Sequence, residues 1–146
     1  MINFVLDKPA LNSLFITLKP YVCLSKSLVE CHYIIPKQVY EEFLLEKPTS
    51  GELKLVSRYC SIVYVEANVD IDWIFENDRN SGEYYVFCYA HQNDNCVLIL
   101  DEEWNKIQAN YFGFEFKTTT QLLHYWCTQN YLNQTEYEKF IQPIPA

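Results

Sequence analysis

Four acids stand where a chain of alternating strands and helices would gather them: Asp7, Glu42, Glu83 and Asp101. Asp7 follows the apolar run Ile2 to Leu6, and Asp101 follows Cys96 to Leu100, so each stands where a buried strand stops. Glu42 belongs to the second turn of a helix opened by Pro36, and Glu83 to the first turn of a helix that begins after Ser81-Gly82. Carboxylates gathered at one place could hold divalent cations, and an acidic pocket of that kind could hold nucleic acid through the metal. Taken singly, each has an ordinary explanation. A Glu in a first helical turn is favoured by the helix dipole, an Asp at a strand end is common turn chemistry, and Glu41 or Glu42 is accommodated as a solvated residue. Their chemistry depends on convergence. Glu102 takes the place of Asp101 if the strand ends one residue later.

The stretch from Ser81 to Lys106 must do much of that positioning. Tyr84 to Ala90 is an unbroken apolar run without a period of two, which predicts a buried helix. Gln92-Asn93-Asp94-Asn95 is a polar turn, and Cys96 to Leu100 predicts a buried parallel strand. A helix of three turns rises about 15 Å and a five-residue strand returns about 16 Å. Glu83 and Asp101 are thereby carried back to one edge.

The other elements follow in order. Ile2 to Leu6 predicts a central strand, Pro9 to Leu18 a helix, and Val22 to Leu28 a second short helix. Tyr33 to Ile35 predicts a strand, followed by a helix with Val39, Tyr40, Phe43 and Leu44 on one face. Thr49-x-x-Glu52 has the form of a capping box before Leu53 to Arg58. Ser61 to Val65 predicts a third strand, and Glu66 to Asn80 a connection with one helical turn that must bury Ile71, Trp73, Ile74 and Phe75. Trp104 to Phe112 is amphipathic and stops at Gly113, Phe114 to Lys117 is a short strand, and Thr118-x-x-Gln121 caps Leu122 to Thr128. Thr135-x-x-Glu138 is expected to cap the last helix. Alternating strands and helices imply an α/β three-layer sandwich around a mainly parallel sheet of four to five strands, and ligands of such sheets bind beyond the carboxyl ends of the strands.

Composition bounds the possibilities. The chain has 146 residues, 49% hydrophobic with three glycines and six prolines, which implies one globular domain over 1–146 without low-complexity segments. Twelve tyrosines and nine phenylalanines point mainly to core filling. The net charge of -8, without a basic stripe, argues against broad electrostatic adhesion to nucleic acid. No apolar run has membrane-span length and the start lacks a basic leader, so the expected location is cytoplasmic. The six cysteines, none in a C-x-x-C, are then reduced, buried thiols.

The order of these pieces resembles the PIN-domain ribonucleases, in particular the subgroup that opens with Asp-Thr-Ser-Pro-Leu. The resemblance rests on four motifs between Asp7 and about Leu123: Val5-Leu6-Asp7-Lys8-Pro9-Ala10-Leu11, Ile35-Pro36-Lys37-Gln38-Val39-Tyr40-Glu41-Glu42-Phe43, Gly82-Glu83 leading an apolar helix, and Leu98-Ile99-Leu100-Asp101-Glu102 with Gly113 following. It implies a PIN-like fold and metal-dependent hydrolysis of RNA phosphodiester bonds. Asp7 and Asp101 would be direct ligands of Mg²⁺ or Mn²⁺, and Glu42 and Glu83 would bind a second ion or orient water. Lys8, Arg79 and Lys106 are the bases nearest the acids and are candidate phosphate contacts. Family members of this size are frequently toxins of toxin–antitoxin pairs and often dimerise, so RNA, a small antitoxin and a second copy are the partners implied. One departure bears on turnover: Lys8-Pro9 replaces Thr-Ser, so that Lys8 either offers a charge to a phosphate or occupies the metal's place. It favours a second reading, a non-catalytic PIN-like interaction module.

Weaker constellations remain. Cys88-x-x-His91 and His124-x-x-Cys127 each place two possible zinc ligands on a helical face, without C-x-x-C spacing. Nothing local suggests an activated thiol for Cys/His nucleophilic chemistry. Tyr84 and Tyr85 could stack on an unpaired base, although such residues more often fill a core. A DNA nuclease or a zinc protein ranks third.

Overall fold

The structure, a computed structural model, describes residues 1–72 and 81–142. Its centre is an all-parallel sheet of five strands in the order β3-β2-β1-β4-β5, comprising β1 (Ile2–Leu6), β2 (Cys31–Pro36), β3 (Ser61–Val63), β4 (Cys96–Ile99) and β5 (Glu115–Lys117). Parallel neighbours need crossover connections, and helices on the sheet supply them. β1 is the middle strand: Ile2 stands beside Cys31 of β2, and Asn3 beside Cys96 of β4. The order of the chain places β2 and β3 on one side of β1, β4 and β5 on the other. The topology therefore switches direction between β1 and β4, the place beyond whose strand ends ligands of such sheets bind.

The first crossover starts with α1 (Lys8–Asn12), whose N-cap is Asp7 with Pro9 in the first turn. It continues as a π-helical turn, Ser13–Thr17, in which the Leu18 N–H bonds to the Ser13 carbonyl at 2.7 Å, and α2 (Tyr21–Ser27) follows. Next come α3 (Lys37–Leu44), α4 (Ser50–Tyr59), α5 (Val69–Asp72) and α6 (Gly82–Gln92). α6 packs on β1, β2, β4 and α3, and α1 also packs on α3. The last three are α7 (Glu103–Phe112), α8 (Thr119–Thr128) and α9 (Gln134–Ile141). Among the described residues no helix is long and apolar enough to cross a membrane.

The apolar runs are buried as their continuity requires. Phe4, Val5, Leu6, Leu98, Ile99 and Leu100 are fully inaccessible, as are Val86, Phe87 and Cys88 of α6. Many of the aromatics fill the core. The Phe4 ring stacks on Tyr33 at 5.7 Å, and the Tyr33 hydroxyl accepts the Trp126 indole N–H at 2.9 Å and pairs with Ser27 at 2.5 Å. Both hydroxyl contacts are needed because a buried phenol without partners is costly. Tyr84 is likewise a core residue, its hydroxyl bonded to Asp72 and to the backbone of Asn68, rather than an exposed stacking platform.

Two sequence expectations need adjustment, and a third falls largely outside the described residues. The α9 cap is Asn133, bonded reciprocally with Glu136, and not Thr135, because Asn133 meets the same Ncap–N3 spacing two residues earlier and caps at least as well. On α3, Val39 and Phe43 are buried while Leu44 turns outward. The segment with Trp73, Ile74, Phe75 and Arg79 lies outside the described residues, except that its α5 turn and the buried Ile71 are in place. The boxes at Thr49/Glu52 and Thr118/Gln121 both form, and Gly113 ends α7 at φ 76°, in the left-handed region that favours glycine.

Candidate metal site at the acidic edge

Asp7 leaves β1 directly into α1 and is completely buried. Its Oδ1 accepts the Ala10 N–H at 2.9 Å, an ordinary helix cap, whereas its Oδ2 is buried with no hydrogen-bond partner. A buried polar atom without a partner is an exception that calls for a proton, a water or a cation. Burial pushes the Asp7 carboxyl well above the usual carboxylate range. The Ala10 N–H pulls it back, and the charges of Asp101, Glu83 and Glu102 push it further up. Those three acids therefore lie within electrostatic reach of Asp7.

Asp101 stands two residues beyond β4, across the switch point from Asp7. It is held by Thr119, the first residue of α8, whose N–H donates to Oδ1 at 2.8 Å and whose hydroxyl donates to Oδ2 at 2.6 Å. The amino end of a helix is a natural seat for a carboxylate, because its first N–H groups have no intrahelical partner. Glu102, next along, is exposed and forms the N-cap position of α7.

Glu42 and Glu83 arrive on helices, as expected. Glu42 of α3 accepts the backbone N–H of Gly82, the residue before Glu83 and the first of α6. The approach is close: a Cβ on Gly82 would stand 2.7 Å from Glu42 Oε1 and 2.9 Å from Val39 Cγ2. Glycine is what lets α6 begin against α3, and so what sets Glu83 beside the end of β1.

Two of the bases, Lys8 and Lys106, are engaged. Lys8 forms an ion pair with Glu46 at 2.6 Å, and that hydrogen bond, against some desolvation, raises its proton affinity, with the charges of Glu46, Glu42 and Glu83 adding to it. Lys106 pairs with Glu103 at 3.1 Å and lines a hollow of about 310 Å³ with Ile107, Phe116 and Gln121. Arg79 lies outside the described residues.

Other chemistry finds little support. Cys23, Cys31, Cys60, Cys88, Cys96 and Cys127 are all free thiols. Burial pushes Cys23 and Cys96 up to about 11, and moves Cys31, Cys60 and Cys88 in the same direction, away from nucleophilic thiolate. Cys88 is buried while His91 is exposed and pairs with Asp70 at 3.2 Å. Cys127 contacts Gln134 and His124 meets the Tyr137 ring. Among the described residues no three His, Cys, Asp or Glu side chains stand together closely enough to hold a metal by themselves. A cation at the acidic edge would therefore have few protein ligands with waters completing its shell, which is the habit of Mg²⁺. The unpartnered Asp7 Oδ2, on which the charge of Asp101 acts, is the atom that such an ion would take as ligand.

Thr119 and Glu46 are the functional contacts that the sequence reading did not single out. Thr119 has a local signal, three threonines opening a helix after the last strand, whereas Glu46 becomes Lys8's partner only through the packing of α1 on α3. Asn105, also buried, keeps Nδ2 without a partner at the start of α7. No family model matches this chain, and no curated protein matches it.

Proposed function

We propose that the acidic edge is a divalent-metal site and that the protein is a metal-dependent endoribonuclease, as the resemblance to the PIN-domain ribonucleases implies. The observation that carries the reading is the buried, unpartnered Oδ2 of Asp7 at the switch point of a parallel sheet, with Asp101, Glu83 and Glu102 around it. Asp7 and Asp101 would hold Mg²⁺ or Mn²⁺. The ion, when bound, supplies a water of lowered pKa and compensates charge on the leaving oxygen. Asp7 is fixed by its capping bond and Asp101 by Thr119, so neither carboxylate needs to reorganise to bind. Glu83, in the first turn of α6, would orient water. RNA is the proposed substrate, and a toxin role with a small inhibitor protein in the cytoplasm, or a homodimer, belongs to the same proposal.

A second reading, a non-catalytic interaction module, has its own support. Both Asp101 oxygens are already satisfied by Thr119, and the Lys8 ammonium is spent on Glu46. One assay separates the two: single-stranded and structured RNAs are incubated with the protein and Mn²⁺, with EDTA and Asp7→Asn as controls. The nuclease reading expects cleavage that both controls abolish. Absence of such cleavage across several RNAs leaves the module. Cleavage of DNA in preference to RNA would correct the substrate.

A further inference from the structure

We propose that β5 is an interface strand, on which a second copy of this chain pairs antiparallel and joins the two five-stranded sheets into one. The inference gives the proposed homodimer a surface and stands without the metal site.

β5 is an outer strand of the sheet, paired with β4 alone. Lys117 faces β4, its carbonyl accepting the Leu100 N–H at 2.9 Å. Alternate residues of a parallel ladder bond to the neighbouring strand, so the N–H and C=O of Phe116 point away from β4. On either side of Phe116 the donors are taken: the Phe114 N–H bonds to the Ala109 carbonyl and the Thr118 N–H to Gln121. A partner strand therefore has one place to bond. In an antiparallel copy centred there, the two Phe116 residues exchange both main-chain bonds.

The side chains select that partner. Glu115 and Lys117, two residues apart, share the face of the strand that looks on α8, where the Lys117 ammonium lies 5.9 Å from the centre of the Tyr125 ring. Among the described residues neither forms an ion pair. In the antiparallel arrangement Glu115 stands opposite Lys117 of the second copy, and Lys117 opposite its Glu115, at the non-hydrogen-bonded positions where side chains approach most closely. A parallel copy in the same register would set Glu against Glu and Lys against Lys. Glu115-Phe116-Lys117 thus repels one orientation and attracts the other, whereas charges that only guarded the edge would repel both. Stable interfaces bury about 1,200–2,000 Å² in total, more than a three-residue strand provides. The rest is at hand on α7, where Ile107 and Phe116 line the same hollow. Trp104, Ile107 and Tyr111 fall at helical spacing along one face of α7 and are 47%, 56% and 69% exposed. A two-fold axis through β5 sets the same stripe of the second copy on the same side of the joined sheet.

Exchanging the charges tests this. Sedimentation velocity over a range of concentrations gives the dimer dissociation constant of the native chain, Glu115→Lys, Lys117→Glu, the double variant and an equimolar mixture of the two single variants. Circular dichroism verifies folding. The native chain is expected to dimerise, and each single variant to do so about tenfold or more weakly, because both cross-strand pairs become repulsive. The mixture and the double variant restore opposite charges at both positions and should regain the native constant. Ile107→Lys, which leaves β5 unchanged, is expected to weaken the dimer by a similar factor and keeps the test open if a charge variant fails to fold. A native chain that stays monomeric overturns the inference. So does a dimer that the single reversals leave unchanged, or one that the mixture fails to restore. None of these readouts involves metal or RNA, so the nuclease reading stands or falls separately by its own assay.

Discussion

An ionised Asp7 would put a charge in a place closed to bulk solvent, with one oxygen lacking a protein partner, at a cost to folding. Because its folded-state pKa lies above the unfolded value, the native state binds the extra proton. That contribution is fully present below the ordinary carboxylate range and is lost as pH rises through the folded value. Asp7→Asn keeps an oxygen to cap α1 and removes the charge. Its melting temperature should exceed that of the native chain at pH 7, and the gap should narrow as pH falls to about 4, the ordinary carboxylate region. A native chain that is more stable than the variant at pH 7 without added metal would contradict this. Excess Mn²⁺ should reverse the order by raising the native melting temperature alone, and an ion at about 100 times its Kd is worth roughly 2.7 kcal/mol. Thr119→Val removes the hydroxyl bond to Asp101 and should cost about 1.5–3 kcal/mol in urea unfolding, since the acceptor is a carboxylate.

At the scale of elements, α3 and α6 meet through a glycine. Gly82→Ala gains helix propensity but drives a methyl into Glu42 and Val39, and overpacking of that kind costs about 1–3 kcal/mol. The expected outcome in thermal unfolding is net destabilisation, and the proposed nuclease reading adds a loss of Mn²⁺-dependent cleavage because Glu83 shifts with the start of its helix. Unchanged stability would mean that α3 yields easily there. Helix starts were the most legible elements, since Thr49 with Glu52 and Thr118 with Gln121 carry their bonding pattern within four residues. The same locality misleads at Thr135, where a nearer Asn satisfies an equivalent pattern. The π-helical turn after α1 was not legible, because no residue of Ser13–Thr17 departs from an ordinary helical pattern.

At the scale of the molecule, the α/β layout was legible because continuous Val, Ile, Leu and Phe runs can be buried only inside a helix-covered parallel sheet. It placed Asp7 and Asp101 at strand ends and thus at one edge. The strand order was not legible, since nothing in β1 says that its second neighbour is β4 rather than β3. The engagement of Lys8 by Glu46 and of Asp101 by Thr119 depends on packing between elements distant in the chain, and had no local trace apart from the threonine run.

That strand order has a consequence for how the protein is made. Strands β1, β2 and β3 leave the ribosome in the order in which they pair, but the other flank of β1 waits for β4, which begins at Cys96. Until then the innermost strand of the finished sheet is an outer one, with a bare row of N–H and C=O groups along Ile2–Leu6. The nascent chain is open to mispairing along β1 until the segment carrying Glu83 and Asp101 arrives. Enclosure of β1 between two neighbours and the gathering of the acids therefore wait on the same segment of chain.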